Sequence, residues 1–438
     1  MSIKKNTGFK ICVVGAGHVG LPAAACFAEL GHKVICADND AKKISALKKL
    51  KMPFFEPDME DLVVKNYKKG NLEFLSSLDE AIKRSEVIFI AVGTPPMPDG
   101  SADLTAIENV AHAVARNLNG YKLVVEKSTV PVQTGRKIEE TIARYKKTDA
   151  VCDVASNPEF LREGKAVSDF FYPDRIVIGT SSRRAETILR SIYAKLKARI
   201  VVTDINTAEL IKHASNSFLA MKISFINAVS RVCDLAGADV KKVAQAMGFD
   251  KRISPHFLSA GIGWGGFCFP KDVEAFIYIS QKLGYDFNLL KEVRNVNYDQ
   301  RKYFVNKIKE KLWVLKGKKI AVLGLSFKPD TDDMRFAPSI DIVELLSREG
   351  AELFLYDPKP EEAKKIFTAK NIHFSKTAYD AAKGADCVCF LTEWKGLLDI
   401  DLAKVRRIVN HPLIADGRNM FNRADIVAKG FEYIALGA

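Results

Sequence analysis

The 438-residue sequence is 47% hydrophobic and 27% charged, which leaves room for two or three domains with more than one buried core. No apolar run approaches the ~20 residues of a membrane helix, and MSIKKNTGFKICVVG passes from a short polar tail straight into a strand with no secretory leader, so no membrane association and a cytoplasmic location are expected. The formal net charge of +13 is spread over lysine pairs such as Lys42-Lys43, Lys146-Lys147 and Lys318-Lys319 with acidic residues between them, a solvated surface and not a nucleic-acid stripe.

In chain order, FKICVVG, KVICAD, EVIFIAV, KLVVEKS, CDVAS and RIVIG are short apolar runs bounded by turn residues or charges. Helical stretches such as LPAAACFAEL and LTAIENVAHAVARNL lie between them. Strands alternating with helices imply βαβ units and a mostly parallel sheet. Near residue 204 the character changes: Asn206 to about Leu235 keeps helical periodicity without Gly or Pro, and a second helical stretch is expected from about Val273 to Lys311. From Lys318 the strand–turn–helix–strand rhythm returns in KKIAVLGLSFKPD, SIDIVELLSREG and AELFLYDPK. The fold class expected is α/β, with two Rossmann-like doubly wound domains joined by a long central helical region. The boundaries are 1–203, 204–315 and 316–438.

Gly15-Ala-Gly17-His18-Val19-Gly20 follows a strand and opens a helix. Gly15 suits the tight turn, Gly17 lets a pyrophosphate approach the backbone, and Gly20 allows close helix–strand packing. The helix N-terminus then offers free N–H groups to phosphates. Asp38 ends the second strand, where a carboxylate accepts from the adenosine ribose hydroxyls and repels a 2′-phosphate, favouring NAD over NADP. Lys43 is within reach of a phosphate or ribose, although a solvated helix lysine is the simpler reading. The later turn, Gly324-Leu-Ser-Phe-Lys-Pro, lacks the second and third glycines, so its domain is expected to hold a different, nucleotide-like ligand.

Seven of the eight cysteines read as small buried hydrophobes or carry no pattern, and no Cys-x-x-Cys pair or metal-ligand set is present. Cys268 differs. In Gly265-Gly-Phe-Cys268-Phe-Pro-Lys-Asp272, flexible glycines precede the thiol and a cation and a carboxylate follow it, surroundings that suit a reactive thiolate.

Segments from one end of the chain to the other, namely GAGHVGLP, AVGTPP, EKSTVPVQTG, SNPEFLREG, PDRIVIG, AELIKHASNSFLAMKISFIN, GIGWGGFCFPKD and LGLSFKPDTDD, resemble the UDP-glucose/GDP-mannose dehydrogenase family. The resemblance implies an NAD-dependent enzyme that oxidises a UDP-sugar twice at carbon 6, with UDP-glucose first choice and UDP-glucuronate the product. It implies Cys268 as the nucleophile that makes an aldehyde carbon tetrahedral, through a thiohemiacetal and then a thioester. Lys212 would stabilise oxyanions, Asn216 would contact substrate from the same helix face, and Asp272, Glu159 and Thr129 would serve the hydrolytic water, the operative base among the carboxylates left open.

By the same resemblance Thr94, Thr129 and Arg335 join His18 and Val19 at the cofactor. Glu159, Phe160, Leu161, Arg162, Lys212, Asn216, Arg252, Phe257, Gly261, Lys328 and Arg418 would meet the sugar nucleotide, Arg252 across a subunit interface in a homodimer or larger assembly. Phe267 departs from the pattern, standing where many relatives carry a small polar residue. Alternatives are the same chemistry on a UDP-N-acetylhexosamine or GDP-mannose, a one-step NAD hydroxyacid dehydrogenase, which leaves Cys268 without a task, and a non-enzymatic NAD- or polyanion-binding protein.

Overall fold

The structure is a computed structural model that describes residues 8–437. The chain divides into two compact units. The first is the chain up to Ser215 together with Glu274–Leu283, and the second is Asn216–Val273 with everything from Gly284 onward.

The first unit holds an eight-stranded sheet: β1 (Lys10–Val14), β2 (Lys33–Ala37), β3 (Leu72–Leu75), β4 (Val87–Ile90), β5 (Lys122–Glu126), β6 (Cys152–Ser156), β7 (Arg175–Gly179) and β8 (Arg199–Thr203). The spatial order is 3-2-1-4-5-6-7-8, reversing direction between β1 and β4. Every pairing is parallel except one antiparallel contact, Ser156 with Gly179. The middles of the central strands, residues 11–14, 87–90 and 123–125, are apolar because helices cover both faces. Phe27, Phe89 and Val125 pack on one side, and Ile88, Val114 and Val124 on the other. The Gly20–Glu29 helix lies close against the sheet because its buried residues are mostly small, Gly20, Ala23, Ala24, Ala25, Cys26 and Ala28.

The second unit repeats the winding with six parallel strands: β9 (Lys319–Leu323), β10 (Glu352–Tyr356), β11 (Ile372–Phe374), β12 (Cys387–Phe390), β13 (Leu413–Asp416) and β14 (Glu432–Ile434), in the order 11-10-9-12-13-14. The repeated rhythm seen in the sequence is a repeated turn. Gly15 (φ +104°) donates to Ala37 O at 2.7 Å and Ala16 N–H to Asp38 at 2.8 Å. Gly324 (φ +83°) donates to Tyr356 O at 2.8 Å and Leu325 N–H to Asp357 at 2.6 Å.

The helix expected from Asn206 to Leu235 runs Ile205–Ala236. The second stretch is two helices and not one, Cys268–Lys282 and Asn288–Leu312. The break falls at Gly284, whose φ of +86° no helix accommodates, and the first of the two starts five residues earlier than expected, at Cys268 itself. No helix among the described residues is long and apolar enough to cross a membrane.

Candidate active site

In the first unit the glycine loop fits a dinucleotide. A Cβ on Gly15 would lie 2.4 Å from Ala91 O and one on Gly20 1.9 Å from Gly15 O, so neither position admits a side chain. A Cβ on Gly17 would meet nothing within 4 Å, which leaves the space above the loop clear for a phosphate. Val19, before the Gly20–Glu29 helix, provides no side-chain cap, so the first-turn N–H groups stay available to an anion. Burial alone would raise the Asp38 carboxyl, but the N–H groups of Ala16 and Asp40 and the Lys43 ammonium hold it below the usual carboxylate range. Lys43 is therefore not a free surface lysine: it pairs with Asp38 at 3.0 Å. His18 stacks on Phe54, ring centroids 3.9 Å apart, and Thr94 Oγ1 donates to Thr129 O at 2.9 Å, so two of the candidates touch.

The same unit brings Glu159 and Lys212 together at 3.0 Å, both about 95% buried (5% and 4% exposed). The other Glu159 oxygen accepts from Leu161 N at 2.5 Å, which bends the Asn-Pro-Glu-Phe-Leu turn back on itself. Phe160 lies under two cations, Arg175 at 3.7 Å and Lys212 at 5.4 Å from its ring. Arg162 is exposed and paired with Asp169 at 2.6 Å.

Sequence reasoning missed the residues that brace this group. Glu209 accepts from Gln133 N at 2.6 Å and Gly135 N at 2.7 Å, and His213 Nε2 meets Val130 O at 2.7 Å. Together they grip the segment that follows Thr129. Burial pushes the Glu209 carboxyl up to about 7 against the lowering effect of those N–H groups. Lys127, held by Asn157 Oδ1 at 3.2 Å, is pushed down to about 8 by burial. A signal existed: Glu209, Lys212, His213 and Asn216 form a polar stripe at helical spacing, and all four are buried.

In the second unit Cys268 is half-buried and opens the Cys268–Lys282 helix. Asp272 lies one turn on, 1% exposed, and its two oxygens accept from Asn216 Nδ2 at 2.5 Å and Lys271 Nζ at 2.7 Å. The glycines before the thiol are forced. A Cβ on Gly265 would sit 2.4 Å from Phe336 O, and one on Gly266, at φ +79°, 2.6 Å from the Phe327 ring. Trp264 is locked through Asn297, which accepts from Trp264 N at 2.7 Å and donates to Trp264 O at 3.0 Å. Gly261 N is held by Asn227 Oδ1 at 2.9 Å. Phe267 lies under Lys271 and Arg335, at 5.7 and 4.4 Å, and Arg335 also pairs with Asp333 at 2.7 Å.

Arg418 donates to the carbonyls of Gly263, Phe327 and Leu391 at 2.9–3.0 Å, tying the Trp264 segment to the Gly324 turn. Lys328 stands over the ring of its neighbour Phe327 at 5.1 Å. Arg252 is exposed and paired with Asp250, and Phe257 (φ +64°) lies 6.3 Å from Phe269.

Residues 9–197 match the NAD binding domain of the UDP-glucose/GDP-mannose dehydrogenase family, 206–299 its central domain and 321–423 its UDP binding domain. The UDP-glucose 6-dehydrogenase TuaD of Bacillus subtilis is 42% identical over 428 residues, 98% of this chain and 93% of that protein. A UDP-glucose dehydrogenase structure from Pyrobaculum islandicum superposes with a TM-score of 0.93 at 36% identity, covering 100% of this chain and 99% of that one. A UDP-D-ManNAc dehydrogenase structure from Pyrococcus horikoshii gives 0.86 at 25% identity over 98% of this chain and 99% of that one.

Proposed function

The chain belongs to the UDP-glucose/GDP-mannose dehydrogenase family, and from that premise we propose that Cys268, Lys212, Asn216 and Asp272, with Glu159 and Thr129, carry its reaction, the NAD-dependent oxidation of UDP-glucose to UDP-glucuronate. The observation that carries the assignment is the Cys268–Asp272 turn: a half-buried thiol at a helix start, one turn before a buried carboxylate held by an amide and an ammonium. First-turn N–H groups favour a negative charge on the sulfur. A one-step hydroxyacid dehydrogenase has no use for that arrangement.

The Gly15–Gly20 loop and Asp38 would hold NAD, which would supply the hydride acceptor for both oxidations. In the first, the carbon 6 hydroxyl gives up its proton to water as the carbon becomes an aldehyde. The Cys268 thiolate then adds to that carbon, and the Lys212 ammonium balances the alkoxide formed. The second oxidation turns the thiohemiacetal into a thioester. Water attacks the thioester carbonyl, the C–S bond breaks, and the carboxylate leaves with the thiol restored. Asp272 takes the proton of that water, while Glu159, 3.0 Å from Lys212, holds the ammonium in place.

Within the same proposal, residues 1–203 hold NAD and 316–438 the UDP moiety, with 204–315 supplying Lys212 and Cys268. Phe160, Leu161, Arg162, Phe257, Gly261, Lys328 and Arg418 surround the sugar nucleotide, and Arg252 reaches it from a second copy. The enzyme works in the cytoplasm as a homodimer or larger assembly. Support for the pairing comes from the Ile205–Ala236 helix, where Phe218, Phe225, Val232 and Leu235 are 53–89% exposed. With the half-buried Met221 and Ala228 they recur at alternating steps of four and three, the seam of a helix packed on its like.

The test is NADH yield. Wild type should form two NADH per UDP-glucose, and Cys268→Ser should release no free acid. One NADH per sugar in wild type would sink the double oxidation. A Cys268→Ser variant that still makes acid at the wild-type rate would remove the thiol from the mechanism.

A further inference from the structure

One buried carboxylate near the site has no part in the chemistry above. Glu56, 6% exposed, sits in the Met52–Pro57 segment between the Ala41–Lys48 and Met59–Lys68 helices. One of its oxygens accepts from Gly164 N and the other from Ala166 N, both at 2.8 Å, across more than a hundred residues of sequence. These are the N–H groups where the Asn157–Lys165 loop ends and the Ala166–Phe171 helix begins. Gly164 adopts φ +74° there, so the turn is a demanding one.

The other end of the loop is fixed separately. Asn157 N donates to Glu126 O at 2.8 Å, and Asn157 Nδ2 to Val177 O at 2.7 Å. Phe160, Leu161 and Arg162 thus lie between two anchors, and Glu56 is the far one. The segment carrying Glu56 is itself braced on the glycine loop, because Phe54, two residues before Glu56, stacks on His18.

We propose that Glu56 is a positioning residue for the sugar nucleotide: its carboxylate, doubly hydrogen-bonded to Gly164 and Ala166, holds Phe160–Arg162 in the conformation that receives UDP-glucose. The proposal rests on the reading that Phe160–Arg162 meet the substrate. Charge-assisted hydrogen bonds to two backbone donors order the loop before substrate arrives. Without them, binding has to order it, and affinity falls accordingly. Gln at this position can accept only one of the two N–H groups and sets its own amide hydrogens against the other.

The experiment is calorimetric titration of the NAD-free protein with UDP-glucose and, separately, with NAD, for wild type, Glu56→Ala, Glu56→Gln and Phe160→Ala. Steady-state KM and kcat accompany it. Glu56→Ala should weaken UDP-glucose about tenfold, with NAD affinity and kcat within about twofold of wild type, and Glu56→Gln should fall between. Wild-type UDP-glucose affinity in both Glu56 variants, beside a weakened Phe160→Ala, overturns the role of Glu56 and leaves the loop assignment standing. Wild-type affinity in all three variants overturns both. Equal losses for UDP-glucose and NAD would mark a merely structural role and also overturn the proposal. Should Glu56→Ala not accumulate, Glu56→Gln decides on the same readings.

Discussion

Asp38 does two things at once: it closes the glycine turn through Ala16 N–H and it neutralises Lys43. Asp38→Ala should raise the KM for NAD about ten- to a hundredfold, the worth of two hydrogen bonds to a ribose. It should also raise turnover with NADP, because the released Lys43 then offers a cation where the 2′-phosphate falls. Steady-state comparison of the two nucleotides checks this, and a variant still blind to NADP would show that Lys43 does not face the ribose. Glu209 makes a prediction about pH. Its folded value of about 7 lies above its ordinary 4.5, so between those values the folded chain keeps a proton that the unfolded chain has shed. Its contribution to stability is present below about 4.5 and is lost as the pH rises through about 7. Glu209→Gln never ionises, so the thermal midpoint of wild type should fall relative to the variant between about pH 5 and 7.5. Parallel curves would mean the carboxyl titrates elsewhere.

At the scale of elements, the Gly261–Phe267 segment is irregular backbone held by side chains of neighbouring helices. Asn297 is fully buried and bonds both backbone polar groups of Trp264. Asn297→Ala strands the Trp264 N–H and should cost about 1–3 kcal/mol, read as a lower urea midpoint, together with faster alkylation of Cys268 by iodoacetamide as the segment loosens. An unchanged midpoint would place the support in Arg301 and Arg418, which also hold this stretch. None of this bracing was legible in the sequence, because an asparagine at a helical position looks the same whether it faces water or a buried carbonyl. The strands that were legible are those covered on both faces, such as Ile11–Val14 and Leu123–Val125, whose apolar runs have one interpretation. β3 and β8 escaped notice: Leu72–Leu75 alternates buried and half-buried positions, and Arg199–Thr203 is an edge strand left largely open. The glycine loop declared itself through strand, turn and helix in succession. The roles of Lys212, Asn216 and Asp272 came from resemblance, since burial of a mid-helix lysine against Glu159 depends on a loop more than fifty residues away.

At the scale of the whole molecule, the exposed seam Phe218–Leu235 predicts assembly. Phe225→Glu should shift sedimentation from dimer to monomer, since each copy would bury a carboxylate against the other; a monomeric wild type would dispose of the seam as an interface. Arg252→Ala should then weaken UDP-glucose in the dimer and leave the affinity of the Phe225→Glu monomer unchanged, if the guanidinium acts from the second copy. The two units carry one more consequence, drawn from their chain order. The first is not a continuous stretch: after Ser215 the chain builds part of the second unit before it returns for Glu274–Leu283. On the ribosome, the first unit therefore has all eight strands by Thr203 but waits for the largely helical residues 274–283 until Leu283 has cleared the exit tunnel. A nascent chain halted near Ser215 carries the complete sheet and lacks only that helical piece for the time it takes to translate the intervening stretch.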